Sequence, residues 1–273
     1  MAGWWRGLSG RRRALVVTVV AVCVTVAAAG AVRLSSNGDA TPGGYPDQSQ
    51  PGPVILVPGY GGNTASLTAL AARITATGRS AQVLGLPGDG TGDLTAQVRT
   101  LDDAVHAALA RGAASVDVVG YSAGGVVVRL WVAQDGGVHE ARRVVTLGSP
   151  LHGAQIAAVG ANLVPGACPL ACQQLAPGSA LLRQLDATPL PAQLPWLSLW
   201  SEDDQTVTPP DSARLTGAVN VPLQQICPAE RVAHAQLPTD PLVTGLVLNA
   251  LGTAPISAPT PNQCGALLAT GRG

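Results

Sequence analysis

Val116 to Val128 reads V-D-V-V-G-Y-S-A-G-G-V-V-V, and few structures accommodate such a segment. A Val-rich run reads as a buried strand, and the apolar spacing from Ala123 to Gln134 reads as a helix. Only Gly120-Tyr121-Ser122-Ala123-Gly124 separates them. A strand that turns into a helix this abruptly lifts the central side chain out of the sheet. Small residues two before and two after it are needed because the turn brings neighbouring backbone close, and Gly120 and Gly124 meet that need. Serine is a poor nucleophile unless a base takes its proton and donors stabilise the resulting oxyanion. Ser122 is therefore the candidate nucleophile, with the Ala123 N–H aimed at the oxyanion. G-x-S-x-G also fits an ordinary turn, so the surrounding elements decide.

Those elements alternate. Val54 to Val57, Gln82 to Leu86, Val116 to Val119, Arg143 to Leu147, Trp196 to Trp200 and Val219 to Gln225 read as strands. Ser66 to Thr77, Leu94 to Arg111, Ala123 to Gln134 and Pro241 to Leu251 read as helices. The pattern predicts an α/β fold, a mostly parallel sheet of about six strands with helices on both faces. Ligands in such sheets bind at the carboxyl ends of the strands. Residues 151–195 carry Pro, Gly, Cys168 and Cys172 and break the rhythm, so they are read as a cap insertion in a catalytic domain spanning 53–273. No internal repeat occurs.

Composition narrows the class. Hydrophobic residues make up 47% and charged residues 12%, which excludes a disordered chain. Formal net charge is zero, which argues against nucleic-acid binding through a basic surface. Arg6, Arg11, Arg12 and Arg13 stand apart at the start, leaving 12 Arg against 16 acids from residue 14 onward. The remainder is thus mildly acidic.

The four arginines precede an uncharged apolar run from Ala14 to Val32, which is the grammar of an export signal. As a helix, 19 residues span ~28 Å, close to a bilayer core. Two readings follow for residues 1–32. Cleavage after Ala29, in the A-x-A pattern of Ala27 and Ala29, releases a secreted protein; without cleavage, residues 14–32 anchor it to the membrane with the catalytic domain outside. Cys23 lacks the small residues that precede a lipidation site. Residues 33–52 read as a flexible tether. The other four cysteines permit three connectivities. The short separation of Cys168 and Cys172 favours a local bridge, which leaves Cys227 for Cys264. An oxidising compartment suits bridges, and no histidine lies at metal-ligand spacing from these cysteines.

Three further stretches share a resemblance with the turn around Ser122. They are V-I-L-V-P-G-Y-G-G from Val54, T-L-G-S-P-L-H-G from Thr146, and D-D-Q-T-V-T-P-P-D-S-A from Asp203. Together they resemble the α/β-hydrolase superfamily, and within it the bacterial secreted lipases and esterases, class 2 lipase-like, over about Val54 to Leu251. The resemblance implies an α/β-hydrolase fold and a second oxyanion donor in the loop after the first strand. Pro58 stands where a histidine is usual, and Tyr60 takes the donor position; the donor is backbone N–H, so the change does not remove it. A phosphate loop is excluded, since neither G-K-S/T nor G-x-G-x-x-G occurs there and the chain has no lysine.

The superfamily's chain order is serine, acid, histidine. Only His234 follows the candidate acids Glu202, Asp203 and Asp204, so it is the implied base. His106 and His139 read as solvated surface groups. His152 lies near the mouth but breaks the order, and reads as a structural or substrate-lining group. Glu202, Asp203 and Asp204 offer the acid. The spacing from Asp204 to Val207 and Pro209 fits the family, with Asp203 the alternative. Asp186 and Asp211 read as helix-end or loop residues, and Asp240 before Pro241 as a helix start.

The implied function is hydrolysis of carboxylic esters, acylglycerols in particular, through a Ser122-Asp204-His234 acyl-enzyme. Acyltransferase, thioesterase and polyester depolymerase use the same apparatus, and a tethered binding module with a dead site is the reading from another class. No cofactor, metal or nucleic acid is implied; the expected partner is an ester or lipid substrate, and the expected state a monomer.

Overall fold

A computed structural model describes residues 44–273, apart from 135, 164, 165 and 167. Residues 1–32 and most of the predicted tether lie outside the described residues. Residues 45–52, at the tether's end, are docked on the domain. Gln48 donates to the Arg142 carbonyl at 2.9 Å, and its own carbonyl accepts from Arg142 at 3.0 Å. Tyr45–Gly273 form one compact unit.

Six parallel strands form one sheet: β1 (Val54–Val57), β2 (Ala81–Val83), β3 (Val116–Tyr121), β4 (Ala141–Leu147), β5 (Trp196–Trp200) and β6 (Val219–Pro222). Their order is β2-β1-β3-β4-β5-β6. The connection after β1 leads outward to β2, and the next returns across β1 to β3. Strand order thus reverses between β1 and β3, and that crevice is where a parallel sheet binds ligands.

Alternation along each strand builds two layers. Ile55, Val57, Val116, Val118 and Val144 face one way, against α2 (Leu94–Ala110), α3 (Ala123–Gln134) and the three helices between β4 and β5. Those are α4 (Gln155–Leu163), α5 (Leu170–Gln174) and α6 (Ala180–Asp186). Val54, Leu56, Val119, Val145, Leu147 and Leu199 face the other way. They meet α1 (Ala65–Ala76), the single turn α7 (Leu223–Ile226), α8 (Pro241–Ala250) and α9 (Cys264–Arg272).

Several boundaries differ from the sequence reading. β2 is an edge strand paired only with the four residues of β1, so it ends before Leu86. β6 stops at Pro222, which has no N–H for a ladder, and the chain turns helical. α9, held to α7's end by the Cys227–Cys264 bridge, has no counterpart in that reading. Asp240 caps α8 by accepting from the Val243 N–H at 3.1 Å, with Pro241 in the first turn.

The pole opposite the strands' carboxyl ends carries a buried charge cluster. Asp117 and Arg142, both fully buried, pair with each other, and Arg79 lies 2.6 Å from Asp117. Arg142 and Arg143 also donate to the carbonyls of Leu251 and Ala250, at 2.7 Å each. The arginines thereby satisfy the open C-terminal carbonyls of α8 and suit the negative end of its dipole. Among the described residues, no helix is long and apolar enough to cross a membrane.

Candidate active site

Ser122 sits between β3 and α3 at φ 53°, the sole non-glycine with positive φ among the described residues. Such backbone is strained for a residue with a side chain and persists only where the surroundings hold it. The surroundings do so. The Ser122 N–H donates to the Leu147 carbonyl at 2.9 Å. A Cβ on Gly120 would lie 2.6 Å from Gly125 Cα, and one on Gly124 would lie 2.6 Å from the Pro58 carbonyl oxygen. Only glycine allows β1, β3 and α3 to approach this closely.

His234 opens a short 3-10 turn at His234–Gln236, and Asp204 lies in the loop after β5. His234 Nε2 is 2.9 Å from Ser122 Oγ, and Nδ1 is 2.6 Å from Asp204 Oδ2. Asp204 is 3% exposed and His234 8%. Asp204 Oδ1 accepts the N–H groups of Thr206 and Val207 at 2.9 and 2.8 Å, so the carboxylate cannot rotate without losing both. Three residues 112 and 30 positions apart thus form one hydrogen-bonded line. Chemically, the line can carry a proton from the hydroxyl to a ring nitrogen whose tautomer a carboxylate fixes.

The competing residues stand elsewhere. Asp203 Oδ2 accepts from Gln224 Nε2 at 3.0 Å, which brackets the acid loop to α7, and Glu202 is exposed. His152 has Nδ1 2.8 Å from Asp186 and Nε2 3.0 Å from the Arg214 carbonyl, so both nitrogens serve structural contacts. His106 lies between Asp102 and Glu140, and His139 rings against Tyr45. The cysteines pair as Cys168–Cys172 and Cys227–Cys264.

Tyr60 follows β1 and Ala123 begins α3, on the two sides of the crevice. The Tyr60 side chain is 44% exposed. Burial raises its phenol's pKa, and the charge of Asp89 adds to the effect.

Two contributors were not singled out in the sequence. The Tyr121 ring stacks on the His234 imidazole at 5.3 Å, and its hydroxyl donates to the His234 carbonyl at 3.2 Å. Burial, with Asp204's charge second, pushes the Tyr121 phenol up to about 12, so it stays protonated and donating. Gly148, at φ 52° just after β4, lies beneath Asp204 and His234; a Cβ there would sit 3.2 Å from both Asp204 Oδ2 and His234 Nδ1. Tyr121 is visible as an unassigned position of the Ser122 motif, and Gly148 as the glycine of T-L-G-S-P.

A family model described as lipase (class 2) matches residues 91–244, more than half of the chain, including Ser122, Asp204 and His234. Among solved structures, Aspergillus fumigatus lipase B aligns with a TM-score of 0.65 at 20% identity, over 83% of this chain and 58% of its own. The chain therefore spans little more than half of that lipase. Bacillus licheniformis lipase BlEst2 in its mature form aligns at 0.54 and 20% identity, over 65% of this chain and 84% of its own. An alpha/beta hydrolase from a lagoon-sediment metagenome, MGS-MChE2, aligns at 0.51 and 17%, over 74% and 90%. At these identities the likeness concerns the fold. No curated protein sequence matches.

Proposed function

The chain belongs to the class 2 lipase family, and on that premise we propose that it is a carboxylic ester hydrolase working through Ser122, His234 and Asp204. The observation that carries the proposal is the line Asp204–His234–Ser122, at 2.6 and 2.9 Å, opening on the crevice where strand order reverses. His234 Nε2 takes the Ser122 proton as Oγ attacks the ester carbonyl. The tetrahedral oxyanion is received by the N–H groups of Tyr60 and Ala123. His234 then protonates the departing alcohol, and water attacks the acyl-enzyme by the same route. Asp204 holds Nδ1–H and stabilises the imidazolium that forms.

Acylglycerols suit the site's surroundings. Residues 151–195 leave the carboxyl end of β4, on the nucleophile's side of the sheet, and we read them as a cap. Ile156 and Val159 on α4 and Leu170 on α5 are 62%, 55% and 47% exposed, an apolar surface that suits an acyl chain. Two disulfides favour an oxidising compartment, consistent with export directed by residues 1–32.

The test is turnover of p-nitrophenyl esters from acetate to palmitate, with tributyrin and an emulsified long-chain triglyceride alongside, by wild type and Ser122→Ala. Hydrolysis that Ser122→Ala abolishes supports the assignment. Retained turnover overturns it, and activity confined to thioesters removes the acylglycerol reading.

A further inference from the structure

A second group of ionisable side chains converges on the flank of the domain. Asp102 and His106 stand four residues apart on α2 and share a face. Glu140 reaches the same place from the turn just before β4. His106 Nδ1 lies 3.2 Å from Asp102 Oδ2, and Nε2 lies 3.2 Å from Glu140 Oε1. One ligand atom from each of the three falls within 4.8 Å of the others.

Two features separate this trio from a solvated surface pairing. Asp102 is fixed from beneath by Trp131, whose indole N–H, on a fully buried side chain, donates to Asp102 Oδ1 at 3.1 Å. Glu140 is largely covered, and its Oε2 is buried without a hydrogen-bond partner among the described residues. Burial without a donor is unfavourable for a carboxylate oxygen, and a cation held through Oε1 lessens the negative charge that the buried Oε2 carries.

We propose that His106 Nε2 and Glu140 are ligands of a divalent transition-metal ion of the zinc class, with Asp102 orienting the imidazole and water completing the shell. Ligand atoms each ~2.1 Å from one ion stand about 3.0–3.4 Å apart, which matches the separation of His106 Nε2 and Glu140 Oε1. A histidine that binds a metal commonly gives its other ring N–H to a carboxylate, which fixes the tautomer and ring plane. Asp102 is in position for that role, and Trp131 holds Asp102 in turn. An imidazole in the set selects the zinc class over calcium or magnesium, which take oxygen ligands. Bound there, the ion ties α2 to the start of β4 over Trp131, remote from Ser122. Its effect is on stability. The spacing of the sequence conceals the site because Glu140 is far from His106 along the chain. In the competing arrangement no ion binds, and a protonated His106 bridges the two acids.

The full chain, stripped with a chelator, is titrated with Zn²⁺ by calorimetry and followed by thermal unfolding. One ion per chain is expected, with Tm raised by about 5–10 °C at a hundredfold excess over Kd. His106→Asn and Glu140→Gln are each expected to lose both signals, and Asp102→Asn to weaken binding 10–100-fold. In the wild type, Co²⁺ should quench part of the tryptophan emission with the same saturation, since Trp131 lies one side chain from the ion; this readout does not depend on the variants folding. Absence of saturable Zn²⁺ uptake by the wild type, or uptake by His106→Asn and Glu140→Gln as tight as the wild type's, overturns the proposal and leaves the bridged, metal-free arrangement.

Discussion

Asn in place of Asp204 has a defined outcome, because the loop dictates how the new amide must lie. Asp204 Oδ1 accepts two backbone N–H groups, from Thr206 at 2.9 Å and Val207 at 2.8 Å. An asparagine of the same shape keeps its oxygen there, since turning the NH₂ group toward those donors loses two bonds at once. The NH₂ must then face His234 Nδ1, where the carboxylate oxygen stood 2.6 Å away. Facing a donor, Nδ1 becomes the acceptor and the proton moves to Nε2. Nε2 then points an N–H at Ser122 Oγ and cannot take its proton. A base held in the wrong tautomer lowers kcat by roughly 10⁴, equivalent to about 5.5 kcal/mol of barrier. Asp203→Asn is the control. Asp203 meets Gln224, and Arg231 only at 3.9 Å, so its loss should stay under about fivefold, the value of an exposed pair worth ~1 kcal/mol. The assay is kcat on p-nitrophenyl butyrate, with circular dichroism to establish that both variants fold. Asp204→Asn within tenfold of wild type, or an equal loss in Asp203→Asn, would mean that Asp204 does not fix the His234 tautomer.

Tyr121→Phe removes the hydroxyl bond to the His234 carbonyl and is expected to lower kcat about 2–10-fold, from a bond worth about 0.5–1.5 kcal/mol; an unchanged kcat contradicts a positioning role. The same phenol, held at about 12 against an ordinary 10.0, stabilises the fold fully below pH 10, and that contribution is lost as pH rises through 12. Urea unfolding should therefore find wild type losing more stability across that window than Tyr121→Phe. Replacing Cys227 and Cys264 by Ser opens a loop closed across a separation of 37 residues and is expected to cost about 4 kcal/mol in denaturant unfolding. Arg142→Met leaves Asp117 buried with one pairing arginine fewer and should cost about 3–5 kcal/mol in the same measurement; a change below ~1 kcal/mol would mean the cluster is not charged as drawn.

Much of the candidate site can be proposed from the chain because local sterics and chain order constrain it. The Ser122 turn carries its own glycines, and Asp204 and His234 follow from an order that the fold imposes. β1, β3 and β5 begin where the sequence puts them, because Pro53, Ser115 and Pro195 stand directly before the first apolar residue of each. β2 and β6 sit at the sheet's edges, where pairing with one neighbour and not composition sets the length. α9 escapes notice because it is short and rich in Gly and Ala, and it is fixed by Cys264 and by packing on α8. Tyr121 and Gly148 act through contacts with His234 and Asp204, which lie far from them in sequence, so no local pattern announces them. The docking of Gln48 on Arg142 and Arg143 is hidden for the same reason, inside a stretch whose Gly, Pro and Ser content reads as tether.

Ser122 as the nucleophile of an ester hydrolase is the premise of every catalytic prediction above. The decisive measurement is labelling of the full chain with a fluorophosphonate, read by peptide mass spectrometry and paired with residual p-nitrophenyl ester turnover. The expected result is one adduct per chain, on Ser122, forming in step with loss of turnover and greatly slowed in His234→Ala. An unlabelled active enzyme, or an adduct on another serine that tracks the loss, would show that Ser122 is not the nucleophile.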